Sequence, residues 1–404
     1  MSTEESNVEL PRGFQWGAVR AGIKASGKLD LAGAAALGGA AAAAMFTRNQ
    51  MVAAPVTVGA EHLHSTGGRV RFVLVNAGNA NCATGLAGIE VCKTTCAAVA
   101  ERFGCLYDEV FPSSTGIIGV PLPAEKVMRA LPELQAAMGS SAEHAETFAR
   151  GIMTTDTRMK VAWTTVDADG VEVRIFGAAK GAGMIHPQLV PPHATMLVYL
   201  FTDLAAEPGE LQGLLEPAVE QSFNSISIDG DTSTNDTVLL LASGASGVKL
   251  GSGIREAFEN ALRLVCVSLA HQIVDDGEGV THVVELHVCG TQTVEDARRI
   301  AKAIAHSPLC KTAWSSADPN WGRLIAAAGY SGTPFEPVRV RIAIGPYTVY
   351  NGGAVQFDRG AVHEHMMQRE FTITMEMGEG EAECRFLTCD LTEEYVRINA
   401  DYST

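Results

Sequence analysis

Residues 195–201, Thr-Met-Leu-Val-Tyr-Leu-Phe, carry no charge and little polarity. At strand length, so apolar a run belongs in the middle of a sheet rather than at its edge. Strand-like and helix-like textures alternate around it. Residues 69–76 (RVRFVLVN) alternate, turn apolar and end in the turn-forming NAGNANCATG, a buried strand entering a Gly/Asn loop. Residues 160–166 and 171–176 alternate on either side of Asp167-Ala168-Asp169-Gly170, a hairpin signature. Residues 238–242 read as a further strand. Helical spacing predicts helices over 89–103, 124–138, 209–221 and 254–274. A turn-like Pro/Ser/Gly-rich stretch, 111–119, separates the first two, and the Gly- and Pro-rich 177–193 reads as a loop.

After Asp275-Asp276-Gly277-Glu278-Gly279 the texture changes to short strands, 280–288 and 338–344, around a helix over 294–306. The chain has 404 residues, and at roughly 150 residues per domain two domains, or one with an appendage, are expected. The change of texture divides it into 1–278 and 279–404. The mixture of elements argues for an α/β or α+β fold. With 47% apolar and 19% charged residues the chain has material for a packed interior and too little charge for disorder. Its net charge of −16 repels polyphosphate and anionic lipid, so neither nucleic acid nor a membrane surface is an expected partner.

Nine cysteines are scattered without a CxxC, and Cys92 and Cys96 fall on one helix face. They are expected to be reduced, buried thiols of a cytoplasmic protein. The N-terminus MSTEESNVEL is acidic and lacks the layout of a signal peptide. The stretch 31–46, mostly Ala and Gly, reads as close-packed core and falls short of the ~20 strongly apolar residues that span a bilayer.

The most informative segment runs from Lys180 to Thr195. There a lysine between glycines, a proline-stiffened loop and a small residue followed by threonine meet at the mouth of a buried strand. Such a threonine can attack its own preceding carbonyl and shift the peptide bond to an ester, and hydrolysis of that ester frees a new N-terminus. The chemistry has a logic, because a threonine hydroxyl is a weak nucleophile until a base removes its proton, and an α-amine titrates near about 7.7–8.0. Cleavage would create that base beside the hydroxyl. On spacing alone, Ala194-Thr195 also fits an ordinary strand start.

Several motifs are discounted. Asp229, Asp231, Ser233 and Asn235 alternate like a calcium loop, but Thr234 stands where a glycine is required and Leu240 where the glutamate should be. The pairs His62/His64 and His363/His365 would share strand faces, yet neither has a third ligand at a recognisable spacing. No metal is expected. The glycine-rich loops fit neither GxGxxG after a strand nor GxxxxGK[ST], so no nucleotide site is expected.

KGAGMI and ATML around residues 180–197, GIMTTDT (151–157), SIDGDTSTNDT (227–237), DGEG (276–279), DPNWGR (318–323) and the terminal INADYST stand in one order. Together they resemble the ornithine acetyltransferase family of arginine biosynthesis, from PRGF (11–14) to Thr404. That resemblance implies a layered αββα-like core akin to N-terminal-nucleophile hydrolases, with a smaller C-terminal α+β domain whose last residues return to the active site. It implies self-cleavage between Ala194 and Thr195, with Thr195 as nucleophile and Thr115 and Gly116 as oxyanion hole. Thr154, Lys180, Thr195, Glu278, Asn399 and Thr404 become the substrate contacts, Lys180 as a flexible loop ammonium for a carboxylate and Glu278 for the cationic amine.

The implied reaction moves acetyl from N-acetylornithine to glutamate by a ping-pong route without metal or organic cofactor, since acetyl-threonine carries the group. Some family members also accept acetyl-CoA. The typical assembly is two cleaved protomers, that is two alpha and two beta chains. One departure stands out: the loop reads GMIHPQLVPPHAT, four residues longer than is usual, with His193 in place of Met. Cleavage is expected to be retained. Two other readings stay open: an amidase or aminopeptidase on the same scaffold, and an uncleaved amino-acid-binding protein.

Overall fold

The computed structural model describes residues 8–189, 196–251 and 253–401. The first part of the chain supplies strands β1 (Phe14–Val19), β2 (Leu31–Phe46), β3 (Arg69–Asn79), β4 (Val110–Ile117), β5 (Lys160–Ala168), β6 (Val171–Lys180), β7 (Leu197–Thr202) and β8 (Thr237–Ala242). With them come helices α1 (Ala54–Ser65), α2 (Gly85–Phe103), α3 (Ala124–Ala136), α4 (Ala142–Gly151), α5 (Pro208–Glu220) and α6 (Arg255–Asp275). The strands pair in the order β4-β3-β2-β8-β7-β6-β5, and β1 also pairs with β2.

The corner of this sheet is β2. Residues 31–36 pair with β1 and residues 41–46 with β8, and the register shifts between Ala35 and Ala40, where Gly39 has φ +80°. Alanine favours helix intrinsically, but the small side chains of this run let neighbouring layers approach. A Cβ on Gly33 would lie 2.6 Å from the Phe72 ring, and one on Gly17 would lie 2.7 Å from the Ala137 carbonyl oxygen. Close packing thus overrides local preference.

The bend folds the sheet into two layers. Phe14 and Trp16 of β1 meet Phe201 of β7 edge-on, at centroid distances of 5.2 and 5.5 Å. Trp16 meets Phe176 of β6 at 5.9 Å, although β1 has no ladder with either strand. On the outer face of the first layer, Phe72 and Leu74 pack with Cys92, Cys96 and Val99 of α2 and Leu131 and Leu134 of α3, whereas Val73 and Val75 point the other way, into the main core. That is the period-two alternation of a strand covered on both sides. On the second layer, α6 lies so near β6 that a Cβ on Gly177 would sit 2.7 Å from Leu269. Helix, sheet, sheet and helix stack in that order, the expected αββα arrangement. Phe201→Ala removes the ring shared by both layers and should lower folding stability by about 3–5 kcal/mol in denaturant titration; a loss within experimental error would show that the layers do not depend on it.

The rest of the chain forms β9 (Val283–Thr291), α7 (Val294–Ala305), α8 (Pro308–Ser315), α9 (Trp321–Gly329), β10 (Arg341–Ile344), β11 (Tyr347–Asn351), α10 (Arg359–Met366), β12 (Glu370–Glu376), β13 (Ala382–Cys389) and α11 (Glu393–Asp401). Its sheet runs β11-β10-β12-β9-β13 and has its own apolar core, including Leu286, Ile300, Ile342 and Phe386. Ser227 donates its backbone N–H to the Leu387 carbonyl at 3.0 Å, joining the two sheets' surroundings.

Three local expectations need correction. The 111–119 stretch is mostly strand: β4 runs parallel to β3 at the end of the strand order, and an edge strand is where a proline is tolerated, since half of its N–H groups point away from the sheet. The hairpin is longer than its alternation suggested. Its loop is Asp169-Gly170, both at positive φ as a tight two-residue turn requires, and β6 continues to Lys180. The His-x-His pairs lie on helices α1 and α10, not on strands, and residues two apart on a helix do not share a face. His62 Nδ1 instead lies 2.7 Å from the Val110 carbonyl oxygen, and His363 Nδ1 lies 2.9 Å from that of Ala317.

All nine cysteines are free thiols, seven of them buried. Among the described residues no helix is long and apolar enough to cross a membrane, and no group of three or more His, Cys, Asp or Glu could hold a metal ion.

Candidate active site

One cavity is lined by Thr115, Gly116, Thr154, Lys180, Glu278 and Asn399, six of the residues singled out in the sequence. They come from β4, the loop before β5, the end of β6, the turn after α6, and α11. Ala194, Thr195 and Thr404, together with His193, lie outside the described residues. The chain resumes at Met196, which is buried, and Leu197 pairs with Lys180 across the β6–β7 ladder. The beginning of β7 therefore lies beside the Lys180 side of the cavity.

Lys180 is no flexible loop lysine. It ends β6, is 7% exposed, and donates from Nζ to Thr115 Oγ1 at 3.1 Å. A hydroxyl that accepts from an ammonium keeps its own proton free to donate, so Thr115 can present an O–H to a developing negative charge. Gly116 follows at φ +131°, and a Cβ there would sit 2.3 Å from the Gly78 carbonyl carbon and 2.5 Å from the Asn79 nitrogen. Only glycine fits where β4 comes so close to β3.

Asp156 sits beneath Lys180, with none of its side chain exposed. It accepts from the backbone N–H of Thr154 at 2.8 Å and of Gly181 at 2.7 Å, and from Lys160 Nζ at 2.7 Å. Lys160 reaches Asp276 at 2.6 Å on its other side. Burial alone would raise the Asp156 carboxyl, but the Lys160 and Lys180 charges and the Gly181 N–H hold it down at about 2. Burial pushes Lys180 below the usual lysine range, opposed by the negative charges of Asp156, Asp236 and Glu278.

Glu278 also lines the cavity and is packed against backbone: a Cβ on Gly183 would lie 2.5 Å from its Oε2. Asn399 donates from Nδ2 to Glu278 Oε2 at 2.9 Å. Helix α11 can come this near because Gly279 has no side chain; a Cβ there would meet the Tyr395 nitrogen at 2.5 Å. The cavity thus brings a cation, an anion and a hydroxyl donor together on one lining, groups suited to the carboxylate and amine of an amino acid.

The polar segment 227–237 forms the floor. Asn235 Nδ2 donates to the carbonyls of Ala80 at 2.6 Å and Ser114 at 2.9 Å, tying the ends of β3 and β4 together. Asp229 accepts from the N–H groups of Met184 at 2.6 Å and Ile185 at 2.9 Å, which holds Met184 at φ +55° on the cavity wall. Sequence reasoning passed over Asp156, Lys160 and Asp276. Lys160 did carry a signal: it shares the inward phase of β5 with Ala162 and Val166, and a lysine in that phase needs a buried anionic partner.

The ArgJ family model matches residues 15–404. The arginine biosynthesis bifunctional protein ArgJ of Thermus thermophilus is 45% identical over 398 residues, covering 98% of this chain and 100% of that protein. The glutamate N-acetyltransferase of Methanopyrus kandleri is 43% identical over 371 residues, covering 90% and 93%. Among solved structures, the arginine biosynthesis bifunctional protein ArgJ of Bacillus halodurans is 39% identical with a TM-score of 0.49, and it covers 52% of this chain and 100% of that chain.

Proposed function

The chain belongs to the ArgJ family, and from that premise we propose that it transfers acetyl from N-acetylornithine to glutamate in arginine biosynthesis, through an acetyl ester on Thr195. The observation that carries this reading is the convergence of Lys180, Glu278 and the Thr115-Gly116 pair in one cavity beside the start of β7.

Autocleavage between Ala194 and Thr195 exposes the Thr195 α-amine. As a free base that amine removes the proton of its own hydroxyl, and the hydroxyl attacks the acetyl carbonyl of N-acetylornithine. Negative charge develops on the carbonyl oxygen, where the Thr115 hydroxyl and the Gly116 N–H donate to it. Each such donor contributes about 2.7–4 kcal/mol in comparable sites. Lys180 holds the α-carboxylate and Glu278, steadied by Asn399, faces the cationic amine, while Thr154 and Thr404 add hydrogen bonds. Ornithine leaves with the proton. Glutamate then binds in the same place, and its neutral amine attacks the ester and regenerates Thr195.

We assign acetyl-CoA as a second donor, in keeping with the bifunctional name of the Thermus relative. We also assign two cleaved protomers as the working assembly, residues 1–278 and 279–404 as the domains, and the cytoplasm as the site of action. The test is intact-mass spectrometry of fresh protein. Cleavage yields pieces of 194 and 210 of the 404 residues. N-acetylornithine without glutamate then adds about 42 Da to the 210-residue piece, as one acetyl ester requires, and glutamate removes it as N-acetylglutamate. An unbroken chain, or acetate release that ignores glutamate, would overturn the proposal.

A further inference from the structure

The walls of the cavity share an anchor that does not itself line it. Asp156 ties down the Thr154 N–H and the Gly181 N–H, and Lys160 joins Asp156 to Asp276. Asp276 in turn accepts from the N–H groups of Thr157 at 3.0 Å and Arg158 at 3.2 Å, and it stands two residues before Glu278. The loop holding Thr154, the strand end holding Lys180 and the turn holding Glu278 thus converge on one buried carboxylate–ammonium–carboxylate row. Breaking a buried pair from one side is costly, because it strands the remaining charge.

We propose that Asp156 is a positioning residue for acetyl transfer, fixing Thr154 and the Lys180-Gly181 corner at one separation so that the substrate's carboxylate meets a preset ammonium. This inference rests on the function proposed above. Among the described residues, the charged groups facing Lys180 are Asp156, Asp236 and Glu278 against Lys160 and Lys24. Asp156 also accepts from the Gly181 backbone N–H, next to Lys180. Neutralising it leaves Lys180 opposed by fewer anions, so the ammonium gives up its proton at a lower pH. Asp276 holds the far side of Lys160, and its neutralisation leaves the Asp156 charge beside Lys180 in place.

The experiment compares Asp156→Asn and Asp276→Asn with the unmodified enzyme, all confirmed as cleaved by intact mass, in the ornithine-releasing half-reaction. Asp156→Asn should raise the KM for N-acetylornithine about tenfold, and the alkaline limb of its kcat/KM profile should fall on the order of one pH unit lower. Asp276→Asn should leave that limb where it is. A limb unmoved in Asp156→Asn, or moved equally in both variants, overturns the proposal. Should the Asn variant fail to fold or process, Asp156→Glu replaces it. Glu keeps the charge but displaces it by a methylene, so KM should rise with the limb unmoved, and an unchanged KM overturns the proposal. Failure of the unmodified enzyme to release ornithine would instead reject the function itself.

Discussion

Thr195→Ala protein is expected to run as a single 404-residue chain and to transfer no acetyl group. One hydroxyl is asked to act twice, first on the Ala194 carbonyl and then on the acetyl carbonyl of the substrate. After the first act the nitrogen of the same residue becomes the base for the second. Alanine removes the nucleophile and, by leaving the peptide bond intact, keeps that nitrogen an amide without basicity. Both losses fall on one catalytic unit, so they do not add; loss of the nucleophile in such a unit costs on the order of 10⁶ in turnover. Thr195→Ser separates the roles. It retains hydroxyl and amine and should process and transfer at a reduced rate, since a serine side chain turns more freely about χ1 than β-branched threonine. Intact mass and ornithine release check both variants. Two fragments in the alanine protein, or turnover by a sample free of contaminating enzyme, would remove Thr195 from its role.

How far the sequence speaks for such a site depends on which forces shape each element. The hairpin of β5 and β6 is legible because alternation and the Asp169-Gly170 turn are local, and positive φ at both turn positions follows from those residue types. Strand β4 is not, since Pro112, Ser113, Ser114 and Gly116 are turn formers, and the ladder to β3 alone makes them a strand. The alanine run of β2 has helix-forming residues in an extended state that its neighbours impose. Resemblance drew attention to Thr154, Lys180, Glu278 and Asn399, and the fold gathers them in one cavity. The buried row beneath them shows the limit of sequence reasoning. Lys160 and Asp276 are 116 residues apart, so their partnership exists only once the first sheet and α6 have met, and Lys180 reads as a loop cation until β6 is seen to carry it inside.

Gly116→Ala is expected to slow acylation by about 10²–10³-fold in protein that still folds, the loss typical of one oxyanion donor. The reason is geometric rather than chemical, because alanine keeps the backbone N–H. Its Cβ would sit 2.3 Å from the Gly78 carbonyl carbon and 2.5 Å from the Asn79 nitrogen, both of them backbone atoms. No side-chain rotation relieves such a clash, and φ +131° is itself unfavourable to alanine. The end of β4 must therefore move away from β3, carrying the 116 N–H and the adjoining Thr115 hydroxyl off their aim, and misplacement of about 1 Å suffices for a hundredfold loss. Thr115→Ala gives the complementary reading. It deletes one donor, leaves the strand in register and deprives Lys180 of its 3.1 Å partner, so acylation should slow by one order of magnitude or more, with a smaller fall in unfolding temperature than a backbone clash causes. Gly116→Ala should lower that temperature as well, since the clash is present whether or not substrate is bound. Single-turnover ornithine release and thermal melts on cleaved protein separate the two. A Gly116→Ala enzyme that is folded, cleaved and within a few-fold of the unmodified rate would show that this corner of β4 does not face the reacting carbonyl.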